Sequence, residues 1–221
     1  MALKKIVQDR QRLADVAYAE ILSAIRSGAM DRSGRLVQTE LAGQLHISRT
    51  PVREALLRLE QDGILDSSVS GGFVIRRMSI DEVKELYQAR IAVEGQAVRL
   101  LTAENNPEKN QALRLRIRDK ENIRSPTVDA YFEANRSIHR CFVELSNNRY
   151  LLEMFDGVWN KGSSYNLFAV IEKVNLEESL GDHMRLVDAI ESNDPDFAQR
   201  VLADHIRDGL DLQLKGVQRS G

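Results

Sequence analysis

Residues 38–65 read QTELAGQLHISRTPVREALLRLEQDGIL, a short helix, a tight turn and a second helix with a polar front in direct succession. Leu41, Ala42 and Leu45 give the first helix an apolar edge, His46 falls where the turn demands an unusual backbone angle, and Ile47 fills the corner. Ser48 stands where a side chain can accept a backbone N–H at the start of the second helix. Pro51 is tolerated in the first turn, where an N–H has no helical partner. Val52, Ala55, Leu56 and Leu59 then recur at helical spacing and face inward, which turns Arg49, Thr50 and Arg53 outward. Arginine and threonine on the exposed front of such a helix suit the major groove of double-stranded DNA, where arginine grips guanine O6 and N7.

Downstream, Gly63 ends the second helix, and Ile64–Ser68 and Gly72–Arg76 read as two short strands around Val69-Ser70-Gly71. On the two helices alone, an ordinary hairpin with solvated arginines fits as well as a DNA reader; the added wing turns the reading towards DNA. With these residues in place, the module resembles the N-terminal winged helix of the GntR superfamily of bacterial transcription regulators, matching TELAxxLxISRTPVREALxxLxxDGIL almost throughout. The resemblance implies DNA contacts at Thr39, Ser48, Arg49, Thr50 and Arg53, and in the wing at Ser70 and Gly71. Thr39 stands where many relatives place arginine.

Upstream, Asp9–Ser27 reads as a helix with Leu13, Val16, Ala17, Ile21 and Ile25 on one stripe, packing beneath the helix-turn-helix. Ser79-Ile80-Asp81-Glu82 is a capping box that starts a new helix directly after the wing, so the expected domains are residues 1–78 and 79–221. Charge divides the same way: residues 1–78 hold 12 Lys+Arg against 9 Asp+Glu, net +3, and the rest of the chain 19 against 24, net -5. Beyond residue 78 there is no strand alternation, only helical periodicity broken at Asn105-Asn106-Pro107, Ser125-Pro126, Gly162-Ser163-Ser164, Gly181 and Asn193-Asp194-Pro195. The expected fold class is therefore mainly α, a winged helix-turn-helix followed by an all-α helical bundle. One cysteine excludes an intrachain disulfide framework, and no apolar run approaches a membrane span or the core of a signal peptide, which points to the cytoplasm. Cys141, in a helical pattern beside Phe142, reads as a buried and inert thiol.

Three of the four histidines fall on apolar stripes of separate segments: His139 with Phe132, Asn135 and Phe142; His183 with Leu176, Val187 and Ile190; His205 with Ala198, Leu202 and Leu212. Asn135 precedes His139 by one helical turn, so both project from one face, at a spacing that lets two groups share an ion. Spacing alone nevertheless favours core histidines with separate partners. Arg90 also lies on a stripe, with Val83, Tyr87, Glu94, Ala97 and Leu101. Spacing favours an ion pair with Glu94; the functional alternative is an anchor that grips a small carboxylate beside a metal. Trp159, the single tryptophan, reads as a core or pocket-wall residue.

The patterns N-x-x-x-H at 135–139, H-x-x-x-x-x-A-I at 183–190 and A-x-x-x-x-x-x-H-I at 198–206 resemble the FCD ligand-binding domain of the FadR subgroup of GntR regulators. The run DHMRLVDAIESNDPDFAQRVLADHI carries most of that likeness. The resemblance implies that His139, His183 and His205 hold a divalent ion with Asn135, which stands where most relatives have Asp. Zinc is the first expectation, with nickel and manganese as alternatives. It also implies a non-enzymatic regulator, by family habit a repressor, in which a small organic acid bound at the metal and Arg90 controls operator affinity. One small winged helix makes few base contacts, so a homodimer on an inverted repeat is expected. Two other readings remain: a regulator whose signal is the metal itself, and a metalloenzyme on a DNA-binding tether, which three histidines would permit. The enzyme lacks a motif-placed general base, since Asp182 and Asp204 should point away from the histidine stripes.

Overall fold

The computed structural model describes residues 9–26, 29–30, 34–121, 128–159 and 182–220. They fall into two compact units, one ending at Arg77 and the other starting at Met78. The expected breaks at Ser125-Pro126, Gly162-Ser163-Ser164 and Gly181 lie outside the described residues. Among those residues, no helix is long and apolar enough to cross a membrane.

The first unit consists of α1 (Asp9–Arg26), α2 (Gln38–Gln44), α3 (Arg49–Gln61), β1 (Leu65–Ser67) and β2 (Phe73–Ile75). Its core joins Ala17, Ile21 and Ile25 of α1 to Leu41, Val52, Ala55, Leu56 and Leu59 and to Leu65 and Ile75 of the hairpin. The stripe of α1 differs from the expected one. Leu13 and Val16 are 44% and 54% exposed, and Ala14 takes the inward place at 3%. His46 has φ 52°, the left-handed angle that the turn between α2 and α3 requires. Ser48 is the N-cap of α3, but its side chain makes no capping hydrogen bond; Gln38 Nε2 ties α2 to the start of α3 by donating to the Arg49 carbonyl at 2.8 Å.

The end of α3 is a Schellman motif: Gly63, at φ 71°, donates to the Glu60 carbonyl at 2.9 Å, and Ile64 N–H reaches back to Leu59 O at 2.8 Å. Leu59 and Ile64 both enter the core, so the stop signal also aims the chain into β1. The hairpin pairs Leu65 with Ile75, Asp66 with Val74 and Ser67 with Phe73, two residues shorter per strand than expected. On the other side of β2, Leu36 forms an antiparallel bridge to Phe73, with N–H to O distances of 2.7 and 3.0 Å.

The second unit is helical throughout its described residues: α4 (Ile80–Glu104), α5 (Pro107–Glu121), α6 (Val128–Leu145), α7 (Arg149–Trp159), α8 (His183–Glu191) and α9 (Pro195–Ser220). The capping box is formed, with Ser79 N–H on Glu82 Oε2 at 2.9 Å and Glu82 N–H on Ser79 Oγ at 3.2 Å. Three junctions follow one rule, in which an asparagine takes a left-handed angle and the next side chain caps the new helix. Asn105, Asn147 and Asn193 have φ 47°, 56° and 61°, and Oδ1 of Asn106, Asn148 and Asp194 accepts from the first-turn N–H groups of α5, α7 and α9. The long helices α4 and α9 run antiparallel: Arg99 pairs with Asp196, Gly95 faces Gln199, and Tyr87 faces Gly209. Around them lies a core that includes Val83, Leu101, Leu113, Ile117, Ile138, Phe142, Val187, Ile190 and Leu202, each no more than 1% exposed. Into this apolar setting α4, α6, α8 and α9 carry Arg90, Glu94, Asn135, His139 and His183, all buried, and the partly buried His205.

Candidate functional site

In the first unit, the expected DNA contacts sit on exposed positions. Thr39 lies in the first turn of α2; Ser48 is the N-cap of α3 and Arg49, Thr50 and Arg53 occupy its first turns; Ser70 and Gly71 lie in the hairpin turn. The turn is held from outside its own strands, because Arg35 Nη1 donates to the Ser70 carbonyl at 2.7 Å. Gly71 and Gly72 have φ 85° and 79°, and a Cβ on Gly72 would lie 2.7 Å from Leu36 O. The wing is thus shaped by two backbone angles that favour glycine. Arg58, further along α3, is committed elsewhere: it pairs with Asp15 at 2.5 Å and lies over the Tyr18 ring at 4.8 Å.

In the second unit, α6 presents Asn135 and His139 one turn apart, α8 begins with His183, and α9 contributes His205 from its third turn. One ring nitrogen from each histidine lies within 4.8 Å of the others. His139 Nε2 faces His205 Nε2 at 3.3 Å, and His183 Nε2 lies 3.1 Å from Asn135 Oδ1. The fold therefore gathers all four expected ligands. Two nitrogens bound tetrahedrally to one ion at about 2.0 to 2.1 Å lie about 3.3 to 3.4 Å apart, so the spacing of His139 and His205 fits a shared zinc ion. Ring centroids 4.7 to 5.3 Å apart complete the cluster.

His139 and His205 are held neutral, the form that donates a lone pair to a metal. Burial pushes His139 down to about 4, with Arg90 and His183 adding to the effect and Glu94 opposing it. Burial also lowers His205 well below the ordinary histidine value, reinforced by His139, His183 and Arg90. Behind the ring of His139 stands Glu94, only 1% exposed. Its Oε2 is 2.5 Å from His139 Nδ1, and its Oε1 accepts from Arg90 Nε at 2.9 Å and from Trp159 Nε1 at 3.1 Å. Burial raises the Glu94 carboxyl, but Arg90 and His139 outweigh it and hold it at about 2. Arg90 also lies over the Trp159 ring at 4.3 Å and the Tyr87 ring at 5.0 Å. The ion pair that spacing favoured is formed.

Sequence reasoning placed Glu94 only as a partner of Arg90 and missed its contacts with His139 and Trp159. The available signal was a pair of opposite charges one turn apart on an apolar stripe, which asks for further buried partners. Glu94 meets the Nδ1 side of His139, whereas the converging Nε2 atoms lie on the other side of the ring, so it is not placed as a base for a metal-bound water. Outside the cluster, a cleft of about 70 Å³ between α8 and α9 reaches His205 and is bordered by Asp182, Asp204 and Asp208. Asp182 and Asp204 form ion pairs with Arg185 and Arg207 at the surface.

Comparison with known proteins agrees with this architecture. Residues 13–75 match the bacterial regulatory proteins of the gntR family, and residues 85–208, more than half of the chain, match the FCD domain. The chain is 27% identical over 206 residues to the Uncharacterized HTH-type transcriptional regulator YdhC of Bacillus subtilis, covering 92% of each protein. It is 29% identical over 188 residues to the "Probable D-xylose utilization operon transcriptional repressor" of Paenarthrobacter nicotinovorans, covering 84% of this chain and 82% of that one. In fold it is similar to a GntR transcriptional regulator of Rhodococcus sp. RHA1, with TM-score 0.71 at 21% identity and coverage of 93% of this chain and 98% of that one. These relatives are transcription regulators and not enzymes. A winged helix that presents arginines, joined to a helical FCD domain, thus places the chain in the gntR family of DNA-binding bacterial transcription regulators.

Proposed function

We propose that residues 1–78 bind operator DNA as half of a homodimer and that residues 79–221 form a metal-containing effector domain which controls that binding in response to a small organic acid. The observation that carries the reading is the convergence of His139, His183 and His205 nitrogens within 4.8 Å, with Asn135 against His183. Three imidazoles and one amide oxygen suit zinc, with nickel or manganese as alternatives, and a bound ion would supply charge and open coordination positions for a carboxylate. Arg90, which gives its Nε to Glu94, has further N–H groups with which to meet the same acid. Thr39, Ser48, Arg49, Thr50 and Arg53 contact the major groove and backbone, and Ser70 and Gly71 bring the wing to the DNA. Repression is the mode we assign, supported by the relative named a transcriptional repressor.

A thermal-shift screen of small organic acids, with zinc and with chelator, tests the effector site, because a ligand of the folded state raises its stability. Any acid that binds should shift the protein only in the presence of metal and should change operator affinity in a mobility-shift titration. A full response from chelated protein would make the histidines structural. A change of DNA affinity on metal addition alone would make the metal the signal.

A further inference from the structure

Glu94 is a charged group 1% exposed in the middle of the bundle, and DNA and effector binding leave it without a task. Its hydrogen-bond partners among the described residues are nitrogens: Arg90 Nε at 2.9 Å and Trp159 Nε1 at 3.1 Å on Oε1, and His139 Nδ1 at 2.5 Å on Oε2. Arg90 and Trp159 can only donate, so the carboxylate takes hydrogens from both and has none to give. The hydrogen between Glu94 and His139 must then reside on Nδ1. A neutral imidazole carries one N–H, so Nε2 of His139 is left with its lone pair. That atom is the one that faces His205 Nε2 at 3.3 Å.

The donors behind Glu94 are themselves fixed. Arg90 is packed against the rings of Tyr87 and Trp159, and Trp159, 3% exposed, lies tilted beside His139 with centroids 5.7 Å apart. The carboxylate therefore cannot rotate to leave His139 without giving up two other bonds.

We propose that Glu94, braced by Arg90 and Trp159, is a positioning residue that fixes His139 as the Nδ1–H tautomer and keeps its Nε2 lone pair directed at His183 and His205. The tautomer follows from contacts within this chain; its consequence for a cation rests on the metal reading above. Glu94→Gln inverts the pattern. Its amide oxygen is still required by Arg90 and Trp159, so the NH2 group faces His139, Nδ1 must accept, and the hydrogen moves to the ligand nitrogen.

The experiment is nitrogen-15 NMR of the imidazoles in metal-free full-length protein, paired with zinc titration. The His139 signals are identified by their loss in His139→Gln. Wild type should show His139 as Nδ1–H and Glu94→Gln as Nε2–H, with zinc affinity about 10 to 100-fold lower in the variant. Glu94→Gln leaves Arg90 without its counter-charge, so the Arg90→Gln/Glu94→Gln double variant, which removes both charges, should show the same switch and the same loss if the single variant folds poorly. An Nε2–H tautomer in wild type, or unchanged zinc affinity in folded variants, overturns the proposal. A wild-type Nδ1–H tautomer that switches in the variant, in a protein that binds no zinc, leaves Glu94 as the tautomer-setting residue and refutes the metal reading instead.

Discussion

Removal of divalent ions should lower the stability of the C-terminal unit by a bounded amount while leaving it folded. The reason lies in the contacts of the histidine cluster, which are satisfied within the chain: His139 Nδ1 on Glu94, His183 Nε2 on Asn135 Oδ1, and His139 against His205. Chelation then costs only the binding contribution, RT ln(1 + [M]/Kd), which is about 2.7 kcal/mol when the ion stands at a hundred times Kd. A unit of this size shifts by roughly 2–4 °C for each kcal/mol, so zinc should raise its Tm by about 5 to 11 °C over chelated protein. Calorimetry on wild type and on His183→Ala, each with zinc and with chelator, measures this directly. His183 is 0% exposed and supplies one of the converging nitrogens, so its alanine variant should start from a lower Tm and lose the zinc-dependent increment. An identical Tm with and without zinc in wild type, or an increment that survives intact in His183→Ala, would refute the reasoning.

Arg49→Ala and Arg53→Ala should each weaken operator binding by about 1 to 3 kcal/mol if they read bases, or flatten its salt dependence by about one unit if they meet phosphates; fluorescence anisotropy over a salt series separates the two. Gly72→Ala should damage the wing more than Gly71→Ala. Both pay about 1 to 2 kcal/mol for a positive φ, but only at Gly72 does the new Cβ press on Leu36 O, at 2.7 Å, whereas none lies within 4 Å at Gly71. Denaturation midpoints and operator affinity of the two variants should rank accordingly, and equal values would count against the contact. Light scattering at micromolar concentration should give a dimer, with two half-sites protected in footprinting; a monomer that protects one half-site would rule out the two-fold arrangement.

The sequence was most legible where one residue type solves a local backbone problem. The left-handed His46, the Ser79–Glu82 capping box and the stop at Gly63 could be read because few residues fit those positions. The stripe of α1 was misread for the opposite reason. Leu13 and Val16 carry more apolar bulk than Ala14, yet α1 turns Ala14 inward, and alanine gives little hydropathy signal. The Leu36–Phe73 bridge left no trace at all, since pairing between a single residue and a distant strand has no periodicity. Within the site, Asn135 and His139 share a helix face as spacing indicated, but the Asn135 oxygen meets His183 from another helix. Such contacts depend on how α6 and α8 pack, which a one-dimensional pattern does not encode. Glu94 shows the same limit, because its i,i+4 link to Arg90 is local and its bonds to His139 and Trp159 span 45 and 65 residues.

The position of Trp159 gives the molecule a built-in optical reporter. It is the only tryptophan beside five tyrosines, so red-edge excitation that spares the tyrosines draws all its emission from one ring. That ring is hydrogen-bonded to Glu94, lies beside His139 and is covered by Arg90. Its emission intensity and colour therefore register the electrostatic state of the histidine cluster without any attached dye. Events confined to the winged helix contribute no indole signal of their own, so changes around the histidine cluster can be followed in real time while DNA is being titrated.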